Sequence, residues 1–279
     1  MTGRLAGKIA VVVGAGQTPG ATIGNGRAIA LLFAREGATV VCVDRDIARA
    51  EETVVLIAAE GGSASAFAAD IGDPGAGAAI VVAALDRHDR IDILVNNVGA
   101  GPATVPGDGA IHEADDIAFS RVLDINLSGM WRTIKAAIPP MRESGGGAIV
   151  NISSVASRVG DTMIGYLVSK AAVDRLTQAT ASANARFGIR CNAILPGLMD
   201  TPMAMDSVTQ STGRSEDDIR HARNSIVPLK GGMGTGWDTA YAALYLASDE
   251  ARFVSGALLP VDGGMIVAST LGFSQPKPV

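Results

Sequence analysis

Short apolar segments alternate with longer amphipathic segments along most of this chain, and this alternation restricts the possible folds more than any other feature. A weak apolar run occupies 64–69, and six stronger runs occupy 9–13, 39–43, 91–95, 147–152, 189–195 and 257–261. Helical periodicity extends over 26–36, 46–60, 116–143 and 163–187. Strands that alternate with helices predict right-handed βαβ units, and therefore a mostly parallel sheet with helices on both faces. Since no Pro- or Ser-rich linker and no internal repeat interrupts the pattern, we expect one domain.

The composition narrows the classes of function. The chain is 48% hydrophobic and only 4% aromatic, which suits a sheet buried on both faces under Ala-rich helices. A net charge of -5 without a basic run gives no support for nucleic acid or a membrane surface as partner. We find no signal peptide and no apolar run long enough to span a bilayer. Cys42 and Cys191 lie far apart in strand-like runs, which suggests neither a metal site nor a disulfide. We therefore expect a cytoplasmic enzyme with a small-molecule substrate and no metal.

Glycines cluster between the first apolar run and the first predicted helix, in the segment GAGQTPGATIGNG at 14–26. A strand that turns through glycines into a helix N-terminus can hold a dinucleotide pyrophosphate, because the backbone comes close and the helix dipole favours an anion. Asp44 follows the second run, where a carboxylate can accept hydrogen bonds from an adenosine ribose. Asp70 and Ile71 follow the weak third run at the same sheet edge. A flexible connector and ordinary loop-end aspartates remain the alternative.

The segment YLVSK places Tyr166 and Lys170 one helical turn apart on the same face. A phenol has an unperturbed pKa of about 10 and is a poor base near neutrality. A neighbouring ammonium favours the phenolate and lowers that pKa, so the pair can act as a proton donor or acceptor. A surface contact between the two side chains is the alternative interpretation.

Other polar residues follow the predicted strands or lie in the adjoining helices. They are Asn96, Asn97 and Gly99 in NNVG, Asn126 in DINLSG, and Ser153 and Ser154 in NISS. An open α/β sheet binds its ligands beyond the carboxyl ends of its strands. Each residue alone suits a structural role, but the whole set favours a catalytic site beside Tyr166.

These motifs together resemble the short-chain dehydrogenase/reductase family, from about Gly7 to Gly264. The resemblance implies a single α/β domain of the Rossmann type, with a doubly wound, parallel, seven-stranded sheet. It also implies hydride transfer between a nicotinamide cofactor and a carbonyl or alcohol, and a homo-oligomer, specifically a tetramer.

The resemblance further implies roles for individual residues. Tyr166 would be the general acid or base, and Lys170 would lower its pKa and bind the nicotinamide ribose. Ser154 would bind the substrate oxygen, and Asn126 would hold a water in a proton relay. The residues expected to bind the cofactor are Gly14, Gly24, Asn25, Gly26, Asp44, Asp70, Ile71, Asn97, Gly99, Tyr166, Lys170, Pro196, Gly197 and Thr201.

The glycine loop departs from the family pattern. Nine residues separate Gly14 from Gly24, where the family has three, so the loop is six residues longer. If the glycine motif began at Gly20, its spacing to Gly24 and Gly26 would match the family. The end of the first strand at Val13 would then be left without a turn glycine that belongs to the motif. We therefore expect Gly14 to be the turn glycine. The inserted QTPGAT should then bulge beside the cofactor, near its adenosine side.

The spacing between the serine and the tyrosine also departs from the family pattern. Ser154 precedes Tyr166 by twelve positions, one fewer than is common in the family, and Ser153 would restore thirteen. We favour Ser154, because the NISS motif sets the register of the strand and loops absorb deletions.

A long excursion at 200–235 separates two predicted strands, and such segments are often lids or binding loops. Met199, Met203 and Met205 open it, and thioether side chains adapt to varied apolar shapes. We therefore expect a substrate lid and a mostly apolar substrate; the alternative is that the methionines only pack the excursion onto the core. A C-terminal tail is expected at about 265–279, and its end FSQPKPV (273–279) is expected to be loosely ordered or to pack on a neighbouring subunit.

Three functions remain open: an NAD-dependent dehydrogenase of secondary alcohols or ketones, an NADPH-dependent ketoreductase, for example on acyl thioesters, and a non-enzymatic dinucleotide-binding protein. The complete set of Asn126, Ser154, Tyr166 and Lys170 argues against the third. Asp44 favours NAD, because its charge would repel the 2′-phosphate of NADP. Arg45 could instead pair with that phosphate, and Asp44 could simply cap the helix predicted from Asp46.

Overall fold

The predicted apolar runs form strands in the computed structural model, which describes residues 3–101, 104–160 and 162–271. The strands in this part of the chain are β1 (Ile9–Val13), β2 (Thr39–Asp44), β3 (Ser63–Ala68), β4 (Ile93–Asn96), β5 (Gly147–Ile152), β6 (Ile189–Pro196), β7 (Met199–Asp200), β8 (Gly234–Thr235) and β9 (Leu258–Val261). Seven of them form a parallel sheet in the order β3-β2-β1-β4-β5-β6-β9, and β7 pairs separately with β8. The prediction of a doubly wound, seven-stranded, Rossmann-type sheet is confirmed.

The helices lie close to where periodicity placed them. They are α1 (Asn25–Arg35), α2 (Ile47–Ala59), α3 (Ala76–His88), α4 (Asp116–Leu123), α5 (Met130–Glu143), α6 (Ile164–Asn184), α7 (Pro202–Thr212), α8 (Glu216–Ile226), α9 (Gly236–Ala247) and α10 (Met265–Leu271). A π-helical turn at Asp124–Gly129 joins α4 to α5, so the predicted helix at 116–143 is one continuous helical stretch. Helix α1 begins at Asn25, one residue before the predicted range of 26–36.

Two apolar layers cover the faces of the sheet. Phe33 of α1 and Leu244 of α9 belong to one layer, and Ile134 of α5 belongs to the other. Adjacent residues of β1 alternate between them, with Val12 in the first layer and Val11 in the second. This alternation is the reason for the continuous apolar runs: a parallel strand needs apolar side chains on both of its faces.

The strand order reverses at β1, which pairs with β2 on one side and β4 on the other. Val13 is in register with Val43 and with Asn96, so the three strands end at the same level. Ligands of open α/β sheets bind in the crevice formed at such a reversal. The glycine turn after β1 and the NNVG segment after β4 therefore border one crevice.

The 200–235 segment contains α7 and α8 and is closed at its base by the β7–β8 pair. Met199 and Met205 are buried, whereas Met203 is 49% exposed. Packing onto the core therefore explains two of the three methionines, and Met203 remains available for contact with a ligand.

Part of the predicted C-terminal tail is helical, because residues 265–271 form α10. The rest of the tail, 272–279, lies outside the described residues. Within the described ranges, no helix combines the length and the apolar character that crossing a membrane would require.

Candidate active site

The turn after β1 brings two glycines into direct contact. Gly14 has a φ of +86°, and a Cβ atom at Gly26 would lie 1.8 Å from the Gly14 carbonyl oxygen. Asn97 Nδ2 donates a hydrogen bond to the same oxygen at 2.9 Å. Only glycine therefore fits at position 26, and α1 starts directly against the turn. The accessible backbone and the helix N-terminus suit a dinucleotide pyrophosphate. Beside them, the buried Oδ1 of Asn25 has no hydrogen-bond partner within the described chain.

The inserted residues 17–22 form a loop held at both ends by Gln17. Gln17 Oε1 accepts a hydrogen bond from Gly24 N at 2.9 Å, and Gln17 Nε2 donates one to Thr22 O at 3.2 Å. Sequence analysis missed this residue, because a glutamine in a loop carries no pattern that predicts such a closure.

The position of the inserted loop corrects the expectation that it bulges on the adenosine side. A Cβ atom at Gly20 would lie 2.8 Å from Pro202 Cβ, so the loop packs against the first turn of α7. Beside this contact, the loop, α7 and α8 together line a cavity of about 280 Å³. The loop folds back through Gln17 and contacts the 200–235 segment, and this contact between distant parts of the chain decides its direction.

Asp44 lies beside the glycine turn, at the end of β2. Its Oδ2 accepts from Gly16 N and its Oδ1 from Asp46 N, both at 3.1 Å. The residue that caps α2 is Asp46, whose Oδ1 accepts from Ala48 N. The alternative that Asp44 caps this helix is therefore wrong, and its carboxylate faces the glycine turn after β1. Arg45 is exposed.

Asp70 and Ile71 form the turn that follows β3. Asp70 Oδ1 accepts a hydrogen bond from Gly72 N at 2.9 Å, and Ile71 is buried. A Cβ atom at Gly129 would lie 2.6 Å from the Ile71 carbonyl oxygen, so this turn packs tightly against the π-helical turn. Both residues thus lie at the carboxyl edge of the sheet, as expected.

Pro196, Gly197 and Thr201 lie on the other side of the strand reversal. Pro196 ends β6, and Gly197 N donates to Val261 O at 3.0 Å. Thr201 is 6% exposed and immediately precedes α7. These three residues therefore connect the sheet edge to the 200–235 segment.

Asn126 lies in the π-helical turn and is fully buried. Its Oδ1 accepts from Ala100 N at 2.6 Å, and its Nδ2 donates to Ala100 O at 2.9 Å and to Ser169 Oγ at 3.0 Å. The side chain thus ties the loop after β4 to α6. Both amide hydrogens are used within the protein, so a relay water would have to bind to an oxygen. π-Helical turns of this kind occur frequently at functional sites.

Ser154, Tyr166 and Lys170 come together at the end of β5. The Ser154 hydroxyl is hydrogen-bonded to the Tyr166 phenol. Lys170 Nζ lies 5.5 Å from the centre of the Tyr166 ring and donates to Ile152 O at 2.9 Å. A Cβ atom at Gly99 would lie 3.3 Å from Lys170 Nζ, so glycine at this position leaves room for the ammonium.

The two serines of NISS differ in their surroundings. Ser153 is buried, and its hydroxyl donates to Lys170 O at 3.2 Å. Ser154 is partly exposed, and its Oγ accepts from Ala156 N at 3.1 Å while bonding to the Tyr166 phenol. This geometry favours Ser154 for contact with a substrate and gives Ser153 a structural role.

Burial dominates the protonation of Tyr166 and Lys170. Desolvation raises the pKa of the Tyr166 phenol above its ordinary value, against the opposing hydrogen bond from Ser154. Desolvation also lowers the pKa of Lys170 to about 8, although the nearby Asp174 opposes this shift. The expectation that the Lys170 ammonium lowers the phenol pKa is therefore not met in the protein chain alone, because burial disfavours the phenolate more strongly.

Asp108 orients the helix that carries Tyr166 and Lys170, and sequence analysis missed it. Its Oδ1 accepts from Gly165 N and its Oδ2 from Tyr166 N, both at 2.9 Å. Met163 at the N-cap of α6 has a φ of +59° and supplies no side-chain cap. A carboxylate from a loop more than fifty residues earlier in the chain thus satisfies two N–H groups of the first helical turn.

Asp108→Ala is expected to lower kcat about three- to fivefold and the free energy of unfolding by about 1 kcal/mol, because the variant loses a helix cap that fixes the backbone of Tyr166. Steady-state kinetics and denaturant unfolding measure the two effects. Asp115→Ala is the matched control, since Asp115 caps α4 through Ile117 N and Ala118 N. An equal fall in kcat in the control would refute the special role of Asp108.

Comparisons with known proteins agree with this geometry. The family model described as "Enoyl-(Acyl carrier protein) reductase" matches residues 20–266. The 7alpha-hydroxysteroid dehydrogenase of Clostridium sardiniense is 40% identical over 199 residues, which cover 71% of this chain and 73% of that protein.

Solved structures show the same similarity. A structure described as a short-chain dehydrogenase/reductase from Burkholderia xenovorans has 41% identity and a TM-score of 0.88, over 95% of this chain and 98% of that chain. Carveol dehydrogenase from Mycobacterium avium, in complex with NAD, has 31% identity and a TM-score of 0.86, over 95% and 100% of the two chains.

The sequence motifs, the sheet order and these relatives lead to one assignment. Ser154, Tyr166 and Lys170 meet beside a glycine turn, at the sheet edge where a nicotinamide cofactor would bind. The chain therefore belongs to the short-chain dehydrogenase/reductase family and is an oxidoreductase that transfers hydride from secondary alcohols or back to the corresponding ketones.

Proposed function

We propose that this enzyme is an NAD-dependent dehydrogenase that interconverts a mostly apolar secondary alcohol and its ketone. The observation that carries the proposal is the cluster of Ser154, Tyr166 and Lys170 at the carboxyl end of β5, at the same sheet edge as the glycine turn after β1. Bound NAD would accept the hydride that leaves the carbinol carbon, and NADH would return it in the reverse direction.

Each residue of the cluster has a distinct task in this proposal. Ser154 holds the substrate oxygen by a hydrogen bond. Tyr166, as phenolate, takes the hydroxyl proton of the alcohol, and as phenol it returns a proton to the oxygen of the ketone. Lys170, as ammonium, favours the phenolate and binds a ribose hydroxyl. Asn126 holds the loop after β4 against α6 and would offer an oxygen to a relay water.

The cofactor would occupy the crevice at the strand reversal. Gly14 and Gly26, with Gly24 and Asn25 at the start of α1, would hold the pyrophosphate through their backbone. Asp44 would bind the adenosine ribose, and the edge residues on either side would line the rest of the site: Asp70, Ile71, Asn97, Gly99, Pro196, Gly197 and Thr201. NAD rather than NADP is supported by the carboxylate of Asp44 and by the NAD complex of carveol dehydrogenase.

The 200–235 segment would close over the substrate. The exposed Met203 at the start of α7 offers it an apolar and adaptable side chain. Several relatives carry names of alicyclic alcohol dehydrogenases, among them the 7alpha- and 3beta-hydroxysteroid dehydrogenases and carveol dehydrogenase. These names support an apolar, cyclic substrate class for this chain.

In a screen of secondary alcohols with NAD, we expect alicyclic alcohols to give a kcat/KM severalfold above that of small, highly charged hydroxy acids, because an apolar site does not compensate the desolvation of a charge. The reduced nicotinamide absorbance measures the rate. The same screen should include 3-hydroxyacyl thioesters with NADP, which represent the alternative of an acyl ketoreductase. Preference for the charged alcohols would reject the apolar substrate, and preference for the thioesters with NADP would support the alternative.

A homo-oligomer, specifically a tetramer, is also part of the proposal. Ile117 on α4, Trp131 on α5 and Val168 on α6 are exposed apolar side chains, and a second copy of the chain could cover them.

A further inference from the structure

Asp174 of α6 is a buried carboxylate whose oxygens lack hydrogen bonds. The residue is 5% exposed, and neither Oδ1 nor Oδ2 has a hydrogen-bond partner among the described residues. Burying an ionised carboxylate without such partners is costly, and native structures rarely contain this arrangement. A packing role would be served better by an apolar side chain of similar size. The position of Asp174 therefore calls for an explanation in terms of its charge.

Lys170 lies one helical turn before Asp174, on the same face of α6. It is 2% exposed, and its Nζ donates to Ile152 O. Two opposite charges are thus buried along one face of the helix that carries Tyr166. Asp174 acts on Lys170 electrostatically and raises its pKa, against the larger effect of burial.

Arg158 approaches Asp174 from a different element. It directly follows the 3-10 turn Val155–Ser157, which Ser154 caps. Arg158 Nη2 lies 3.5 Å from Asp174 Oδ2, and the arginine side chain is 47% exposed. Arg158 from this turn contacts Asp174, and Tyr166 from α6 itself lies beside Lys170. The Asp108 carboxylate approaches the same helix at Tyr166 N.

We propose that Asp174 is a positioning residue for the reaction: its buried carboxylate keeps Lys170 in the ammonium form beside Tyr166, and Arg158 moderates this charge from the solvent side. The inference rests on the proposed role of Tyr166 as the proton-transfer residue. An uncharged Lys170 would neither favour the phenolate nor bind the ribose as a cation. The field of Asp174 widens the pH range in which the ammonium persists despite its burial.

The test compares the pH dependence of kcat/KM for alcohol oxidation with NAD in wild type, Asp174→Asn and Arg158→Met. Asn is isosteric with Asp and removes the charge, and it replaces one carboxylate oxygen with an amide NH2 group. Without that charge, Lys170 loses its proton at lower pH, so the phenolate becomes harder to form. We expect the acidic limb of the Asp174→Asn profile to lie at least about half a pH unit higher, with kcat reduced severalfold at pH 7 and KM for the alcohol unchanged.

Arg158→Met distinguishes this electrostatic role from a structural one. Removal of Arg158 leaves the negative charge of Asp174 uncompensated, so the acidic limb of the Arg158→Met profile should move to lower pH. If the two substitutions acted only by loosening the 3-10 turn Val155–Ser157, the acidic limb would shift in the same direction in both variants. A shift to higher pH in both variants, or in neither, overturns the proposal. If Asp174→Asn is not obtained as folded protein by circular dichroism, Arg158→Met alone decides, and an acidic limb that does not move to lower pH overturns the proposal.

Tyr166→Phe, measured in the same series, separates this inference from the proposed function. Retention of turnover in Tyr166→Phe rejects Tyr166 as the proton-transfer residue, whatever Asp174→Asn does. An inactive Tyr166→Phe together with an Asp174→Asn profile that superimposes on that of wild type rejects only the role of Asp174.

Discussion

Tyr166→Phe is expected to lower the turnover number by at least about a hundredfold, the scale on which a positioned general base contributes to catalysis. The variant keeps the ring and removes only the hydroxyl that is hydrogen-bonded to Ser154. Since the ring and its packing remain, binding of the cofactor should be largely preserved. Steady-state kinetics in both directions and a fluorescence titration with NADH measure these two properties.

The role of Tyr166 also predicts the direction in which each reaction rate changes with pH. Burial raises the pKa of the Tyr166 phenol, so the phenolate that oxidation needs becomes more abundant as pH rises. Oxidation by the wild type should therefore increase with pH and ketone reduction should increase as pH falls, and Tyr166→Phe should lose both dependences. Tyr241→Phe is the control, because Tyr241 on α9 is 60% exposed and should tolerate the change. Near wild-type turnover in Tyr166→Phe would show that another group transfers the proton.

The wild type is expected to favour NAD over NADP by at least about tenfold in kcat/KM, or roughly 1.4 kcal/mol, and Asp44→Ala is expected to lose this preference. The Asp44 carboxylate lies against the glycine turn through Gly16 N, where it would meet the 2′-phosphate of NADP with like charge. Arg45 is exposed, and the comparison of the two cofactors also decides whether it pairs with that phosphate instead. Kinetics with both cofactors measure the preference.

Two variants separate the charge of Asp44 from its structural contacts. Asp44→Asn keeps one acceptor oxygen, which can still accept from Gly16 N or from Asp46 N, and should lose NAD preference nearly as fully as Asp44→Ala. Asp46→Ala removes the cap of α2 and should keep the preference while it lowers stability. Equal efficiency with both cofactors in the wild type, or an unchanged preference in the two Asp44 variants, would contradict the assignment.

Local patterns in the sequence were sufficient for the architecture and for part of the candidate site. The apolar runs predicted the strands because a parallel strand buried on both faces must be apolar at successive positions, as Val11 and Val12 are. The spacing of Tyr166 and Lys170 placed both on one face of α6, because helical geometry depends only on neighbours along the chain. Gly14 and Asp44 were assigned to one edge because parallel strands end there together.

Contacts between distant parts of the chain decided the remaining features. The inserted loop packs on Pro202, the Asp108 carboxylate caps α6, and Ser154 rather than Ser153 reaches the Tyr166 phenol. Each of these depends on which loops approach one another beyond the sheet edge, and periodicity carries no information about that approach. The protonation of the site also depends on both levels of structure. The spacing of Tyr166 and Lys170 along the helix brings a cation near the phenol. The burial that raises the phenol pKa arises only when the surrounding elements pack around Tyr166.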